Sequence, residues 1–394
     1  MPDTYFVQKT KTSNPFAAVL IGLAMFAGSF VVIYKNEGRI NLAHFGEQAK
    51  QYVQGTSYQP GDLLAVTGKA ETDQTVGDNL FKTPESVISL ERTVEMYAWT
   101  EDSHDRDGGT EYTYKREWTE SPEDSSHFEV QSGHENPEMP FRSETFTVPN
   151  FSIDGVTVSS TSLSLPDHTQ SIELTSDNTT LNSKYGKPSF VDNGQMIYIK
   201  NMDAGVEEGT HIGDIRVSYH AIPNHADVTV FGAYANGPSL APYEAKESMK
   251  DSTMFYHMRY GDKVSATQTL GNEFKMMLWI LRILGFILML AGLNLIVSPL
   301  QKLLGYIPIV GAVGNFVLGL ILFVTTIVLY VVALVVSIVA HSLIGMIIAG
   351  VVVLAIGAFV ARKFATKPAA APMQPAAPQA GQMPPTTPPT TPAQ

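Results

Sequence analysis

Residues 16–34 run for nineteen consecutive positions without a charged side chain. A helix needs roughly 20 apolar residues to cross the hydrocarbon core of a bilayer. In that core every backbone polar group must be satisfied within the segment, so such a run admits little besides an α-helix. Three more apolar stretches occupy 278–298, 316–340 and 342–360. The first run exceeds the apolar core of a cleaved signal peptide, roughly 7–15 residues, and reads as an uncleaved anchor. Between the second and third lies 299–315, apolar but interrupted by Lys302, Pro308, Gly311 and Gly314. It is expected to be an interfacial or re-entrant loop. The turn Ala340-His341-Ser342 leaves room only for a tight helical hairpin. The expected fold class is an α+β membrane protein, with one N-terminal and three C-terminal transmembrane helices around a β-rich extracytoplasmic domain.

Charge supplies the orientation. Residues 41–274 hold 36 acidic and 16 basic side chains, whereas the rest of the chain holds 2 and 10. Lys9 and Lys11 precede the first span, and Lys302, Arg362, Lys363 and Lys367 fall between or after the others. Basic residues favour the cytoplasmic side. Residues 1–15 and 361–394 are therefore expected inside and 35–277 outside. The distribution excludes an ordinary cytosolic enzyme, a disordered protein and a nucleic-acid binder, since the acidic segment repels phosphate. The chain has no cysteine, which removes disulfides, thiolate metal sites and a cysteine nucleophile.

Period-two patterning dominates the acidic segment. Ile88, Leu90, Val94, Met96 and Ala98 share one face of a strand, with Arg92 among them; Glu95, Tyr97 and Trp99 share the other. Tyr112, Tyr114, Arg116 and Trp118 alternate with polar residues, and 101–110 carries turn chemistry, so a hairpin is expected. Arg92 and Arg116 should be covered by rings or paired with carboxylates. Further strands are expected over 62–69, 190–200, 212–221, 227–235 and 254–260. The segments 66–70 and 230–234 look alike, as a duplicated barrel element would. Residues 43–54 read as an outward continuation of the first helix, and 267–277 as a lead into the second. The last 27 residues include nine prolines and cannot build a core.

Catalytic signatures are missing from the sequence: no nucleophile elbow, phosphate loop, zinc-protease helix or dinucleotide fingerprint. His104, His127 and His134 match no metal-ligand spacing. The polar residues singled out in and beside the spans are few: Arg282, Asn294 and His341. Arg282 lies about 6 Å along the second helix from its outer end. Glu37, just past the first span, sits at the same level, and the two are expected to pair.

Several short elements occur in a fixed order: Asn36-Glu37-Gly38-Arg39, Val94-Glu95-Met96-Tyr97-Ala98-Trp99, Tyr112-Thr113-Tyr114 with Glu117-Trp118, and His134-Glu135-Asn136-Pro137. Glu144-Thr145-Phe146, Gly213-Asp214-Ile215-Arg216-Val217-Ser218-Tyr219 and Gly292-Leu293-Asn294-Leu295 follow. Over about 14–362 the chain resembles the transmembrane protein 43 family, also called LUMA. The motif positions are Asn36, Glu37, Gly38, Arg39, Glu95, Trp99, Trp118, Asn136, Pro137, Gly213, Asp214, Arg216, Arg282 and Asn294. The resemblance implies four spans, self-association, and in animals the endoplasmic reticulum and inner nuclear membrane, with lamins and emerin as partners. Roles in organising membrane lipid and in forming a channel are also implied. It brings no catalytic residue and no cofactor. The Pro-rich tail and the lack of Cys point to a bacterial member, with the β domain in the periplasm.

The expected function is that of a non-enzymatic membrane scaffold that self-associates in the lipid bilayer, has other membrane proteins as possible partners, and binds no nucleic acid. An ion channel or transporter would need Arg282, Asn294 and His341 around one lumen. A membrane-bound hydrolase would need His127, His134 and carboxylates to converge.

Overall fold

The computed structural model describes residues 3–7, 15–106, 109–180, 184, 187–201, 209–235, 237–305 and 308–365. The Pro-rich tail from 366 lies outside them. In chain order the first elements are β1 (Asp3–Val7), α1 (Pro15–Glu37), α2 (Leu42–Gln48), β2 (Lys50–Gln51), β3 (Leu63–Glu71), β4 (Val87–Arg106) and β5 (Gly109–Thr119). Next come β6 (Glu144–Thr147), β7 (Asn150–Ile153), β8 (Val156–Ser159), β9 (Gln170–Ser171), β10 (Lys187–Val191), β11 (Met196–Lys200) and β12 (Ile215–Pro223). The chain continues with β13 (Ala226–Ala235), β14 (Ser239–Ala241), β15 (Tyr243–Ala245), β16 (Thr253–Phe255) and β17 (His257–Tyr260). Three helices close it: α3 (Lys263–Gly305), α4 (Pro308–Ala340) and α5 (Leu343–Ala365). One N-terminal and three C-terminal apolar helices thus flank a β-rich region.

The β region has two parts. In the smaller sheet β13, β14, β8, β7 and β3 pair in turn, and β3 pairs back onto β13, so five strands close into a barrel. Val66 lies opposite Val230, so the two look-alike segments are neighbouring barrel strands. Alternation sorts their side chains. Val66, Val228 and Val230 fill the barrel with Ile153, Val156 and Met258. Ala65 and Phe231, on the other face, pack against Ala266 and Leu270 of α3 and Ala43 of α2. Both faces of these strands are buried, which explains their nearly continuous apolar sequence.

The larger sheet runs β1-β5-β4-β12-β11-β10, with β6 on β4 and β9 on β12. Leu90, Val94, Met96 and Ala98 of β4 enter its core beside Ile197, Ile215, Val217 and Tyr219. The β4–β5 hairpin is longer than expected: pairing continues to Arg106 opposite Gly109, so strand occupies most of 101–110. The expected strand at 190–200 is a hairpin, β10–β11. Asp192, Asn193 and Gly194 adopt positive φ there, at 53°, 52° and 82°, which Asp, Asn and Gly tolerate best.

Two helical expectations also change. The run 43–54 does not prolong α1. The Gly38 amide closes the last turn on the Tyr34 carbonyl, and Asn41 starts α2 by accepting the Ala43 amide at 3.1 Å. The loop expected over 299–315 is largely helical, since α3 runs through Pro299 to Gly305 and α4 starts at Pro308. Pro299 has no amide hydrogen for the Leu295 carbonyl, and the Ser298 hydroxyl donates to it instead, at 2.8 Å.

Residues 1–15 are expected on the opposite side of the membrane from the β region, and part of this segment pairs with it. Asp3–Val7 forms β1 and pairs antiparallel with β5, Tyr5 opposite Tyr112. Eight residue steps separate Val7 from Pro15 and reach about 28 Å at most. The hydrocarbon core is about 30 Å thick. With β1 kept on β5, a complete crossing by α1 would need the link between them stretched to its limit across the hydrocarbon core.

Candidate functional site

The first motif cluster forms a collar where the barrel meets the helices. α1 and α3 lie antiparallel and very close. A Cβ added at Gly22 would sit 2.8 Å from the Gly292 carbonyl oxygen, and one at Gly292 would sit 2.7 Å from the Phe26 nitrogen. At the barrel end of this pair the Asn36 amide donates to the Leu278 carbonyl at 3.0 Å. Glu37 and Arg282 form a two-bonded ion pair, at 2.8 and 2.9 Å. Their side chains are 7% and 18% exposed, so this is a largely dehydrated bridge rather than a surface contact. The Arg282 guanidinium lies 5.1 Å from the Trp279 ring centre. The Tyr330 hydroxyl of α4 donates to the Arg282 carbonyl at 3.0 Å. Gly38 makes room for His341: a Cβ there would lie 2.6 Å from its Nε2. The His341 ring in turn rests on Tyr34 at 4.3 Å.

Nine residues before Arg282, α3 carries a second clamp. Arg259 of β17 meets Glu273 with two bonds of 2.8 Å. Burial, with Arg259 beside it, pushes the neighbouring His257 imidazole down to about 4. Lys263 donates to the carbonyls of Ala49 and Glu47 at 2.5 and 3.0 Å, closing the barrel end of α3 onto α2. Arg39 differs from these arginines. Its guanidinium lies 5.5 Å from the Phe274 ring centre, and its buried Nη1 has no hydrogen-bond partner.

The second motif cluster sits on the larger sheet. Arg216 binds Glu95 with both nitrogens of its fork, Nη2 at 2.7 Å, and stacks on Trp118 at 4.7 Å. Arg116 lies over Trp99 at 5.1 Å. Asn136 fixes the Trp99 backbone from both sides, at 2.7 and 2.8 Å. Asp214 accepts the Asn201 and His211 amides at 2.8 and 2.7 Å and the Tyr198 hydroxyl. Gly213 holds φ at +88°, and a Cβ there would lie 2.7 Å from Pro137. Eight motif residues thus converge at one place; Arg216 and Glu95 neutralise each other, and Asp214 is held by two backbone amides and a hydroxyl. Asn294 stands apart, donating to the Leu290 carbonyl of its own helix at 2.8 Å.

Sequence reading missed a third network. Asp78, buried in the loop before β4, accepts the amides of Leu80, Phe81 and Lys82 at 3.0, 2.9 and 2.7 Å. Arg92 reaches it at 3.0 Å and Glu144 at 3.1 Å, and the Tyr219 hydroxyl also bonds Asp78. Burial alone would raise the Asp78 carboxyl; the bonds from Tyr219, the Phe81 and Lys82 amides and Arg92 outweigh it and lower it. The signal was Arg92 on an apolar face, which required a counter-charge without saying which.

One arrangement has the order of a hydrolytic relay. The Ser89 Oγ lies 2.8 Å from His168 Nε2, and His168 Nδ1 lies 3.6 Å from Glu91. Ser89 is completely buried and also bonds Thr147 and the Phe146 carbonyl, so no substrate reaches its oxygen. The three histidines have separate neighbours: His104 of β4 is near Asp102, His127 is near Asp124, and His134 is stacked on Tyr114 at 4.0 Å. Among the described residues no three His, Asp or Glu side chains are grouped to hold a metal ion.

A family model described as Transmembrane protein 43 matches residues 96–343. The chain belongs to the transmembrane protein 43 family. Transmembrane protein 43 of Homo sapiens and that of Pongo abelii are each 28% identical over 331 residues, covering 76% of this chain and 78% of theirs. That of Rattus norvegicus is 28% identical over 339 residues, covering 78% and 80%. No solved structure matches. The family match takes in Arg282 and the larger-sheet cluster apart from Glu95, which lies one residue before it; Asn36 and Glu37 also precede it, yet they close on the matched α3.

Proposed function

We propose that this transmembrane protein 43 family member is a non-enzymatic scaffold, holding a folded β region at a fixed attitude to the bilayer and assembling through its membrane helices. The observation that carries this is α3, a single 43-residue helix that packs on the barrel at one end and on α1 at the other. Its two Arg–Glu clamps fix both contacts. Self-association is supported by Gly350 and Gly357 of α5, which have open space where a Cβ would be and so leave a small-residue surface that no helix of this chain fills. Against a polar path, Thr326, Ser337 and Asn294 each bond a carbonyl of their own helix, and Arg282 is neutralised by Glu37.

The orientation we favour keeps residues 1–15 and the C-terminus cytoplasmic and the β region outside. If β1 remained on β5 with α1 inserted, Lys9 and Lys11 would have to lie at bilayer depth, at about 2.5–3.5 kcal/mol each. Crossing therefore displaces β1 from β5 in the membrane-bound protein. Single cysteines at Thr4 and Ser125 should label from opposite sides of sealed vesicles. Labelling from the same side would remove α1 as a span. Assembly is tested by light scattering of the full chain in lipid nanodiscs and by crosslinking through cysteines at Gly350 and Gly357. A strictly monomeric 42.9 kDa particle at all loadings would overturn the scaffold reading.

A further inference from the structure

Beside the collar lies a cleft of 570 Å³, between the end of α1, the start of α2 and the segment before β16. Its apolar wall comes from Val32, Ile40, Leu42 and Leu281. Its polar side comes from Lys35, Asn36, Arg39, Asp251, Ser252 and Thr253. Three observations single it out. First, among the described residues no carboxylate pairs with Arg39, whereas Arg282 and Arg259 each have a glutamate. Burial lowers the Arg39 pKa, as it does for a cation lacking a counter-charge. Second, two residues that line the cleft each carry a buried polar atom without a partner, Oδ1 of Asn36 and Nη1 of Arg39. Third, the cleft opens where the apolar run of α1 ends at Tyr34, the level at which headgroups meet hydrocarbon. Lys35 at the rim is held only by Asp251, at 3.2 Å, with both side chains mostly exposed, a contact of little strength.

We propose that this cleft binds the phosphodiester of an anionic phospholipid, with Arg39 as its counter-ion, Thr253 donating to the headgroup, and an acyl chain against Val32 and Leu281. A guanidinium suits a phosphate because its donors form a planar fork. The headgroup hydroxyls of a phosphatidylglycerol also offer donors for Asn36. This reading rests on α1 and α3 lying in the membrane, which vesicle labelling tests separately.

The test uses the full chain in detergent with three probes: phosphatidylglycerol, diacylglycerol and inorganic phosphate. Diacylglycerol keeps the chains without the phosphate, and inorganic phosphate keeps the anion without the chains. Native mass spectrometry should show phosphatidylglycerol retained at least tenfold better than diacylglycerol, with no retention of inorganic phosphate. Arg39→Gln should lose that preference and Arg39→Lys should keep part of it. Ser252→Trp, at the exposed rim, should reduce binding by filling the cleft while leaving Arg39 in place, which covers the case of Arg39→Gln failing to fold. Equal retention of diacylglycerol, saturation by inorganic phosphate alone, or unchanged binding in both Arg39→Gln and Ser252→Trp would each overturn the proposal.

Discussion

Between α1 and α3 the backbones approach until no side chain fits at Gly22 or Gly292, and Glu37, Arg282 and Asn36 lock the barrel end of the contact. Between α4 and α5 there is a short connection at His341 and little else: Gly350 and Gly357 have open space where a Cβ would be. Both pairs carry small residues four apart, Ala18 and Gly22 in one, Gly357 and Ala361 in the other. The same spacing therefore has a different meaning according to whether a partner helix is supplied by this chain. Small residues permit close approach but do not cause it. In α1–α3 the polar bonds at one end set the register that the glycines then exploit.

That contrast can be broken by substitution. Gly292→Leu puts a side chain against the α1 backbone, which cannot yield as a flexible side chain would, and should cost about 3 kcal/mol or more of stability. The check is thermal unfolding of the purified protein in detergent, with a near-native Gly292→Leu refuting the close packing. Next in size is the Glu37–Arg282 bridge. Arg282→Ala leaves a dehydrated carboxylate without a partner and should cost roughly 2–3 kcal/mol. Exchanging the two residues should recover at least half of that loss in a double-mutant cycle, whereas additive losses would mean the pair carries no coupling.

The barrel clamp can be probed by pH. The folded pKa of His257 is near 4, below the ordinary 6.5. Between those values the unfolded chain binds the proton and the folded chain does not. Stability should therefore fall as pH drops from about 6.5 towards 4, by on the order of 2 kcal/mol. His257→Asn should flatten this part of the profile, and an unaltered slope would assign it to other groups. The smallest effect is expected at the far helix: Gly357→Leu should change monomer stability by less than about 0.5 kcal/mol. A large loss there, in a protein kept monomeric by dilution in detergent, would show that α5 has a partner within the chain.

Much of this architecture is legible in the sequence because it follows from short-range rules. Nineteen uncharged residues declare a helix in lipid whatever surrounds them. Ile88, Leu90, Val94, Met96 and Ala98 declare the buried face of β4 through alternation alone. Glu37 and Arg282 find each other because both are charged at one membrane level. Barrel closure is not legible in this way. It depends on a parallel contact of two short strands, Ser239 opposite Thr157 and Leu240 opposite Val158, whose partners are separated by about eighty residues. Asp78 also escapes notice, since its role arises from a loop that turns its carboxylate onto three successive amides. Pro299 reads as a helix end because the compensating hydroxyl of Ser298 carries no distinguishing signal in sequence. β1 precedes a span in a segment with two lysines, and no local rule suggests that it completes a sheet.

The length of α3 has a mechanical side. About 65 Å of one helix, roughly half beside the barrel and half among apolar helices, acts as a lever with its fulcrum at the Glu37–Arg282 collar. Helices answer a thinner or thicker bilayer by tilting. Here a change in inclination cannot be absorbed at a hinge between membrane and barrel, because Ala266 and Leu270 are already embedded in the barrel wall. A bilayer that changed the inclination of α3 would therefore tilt the whole β region over the membrane surface with it.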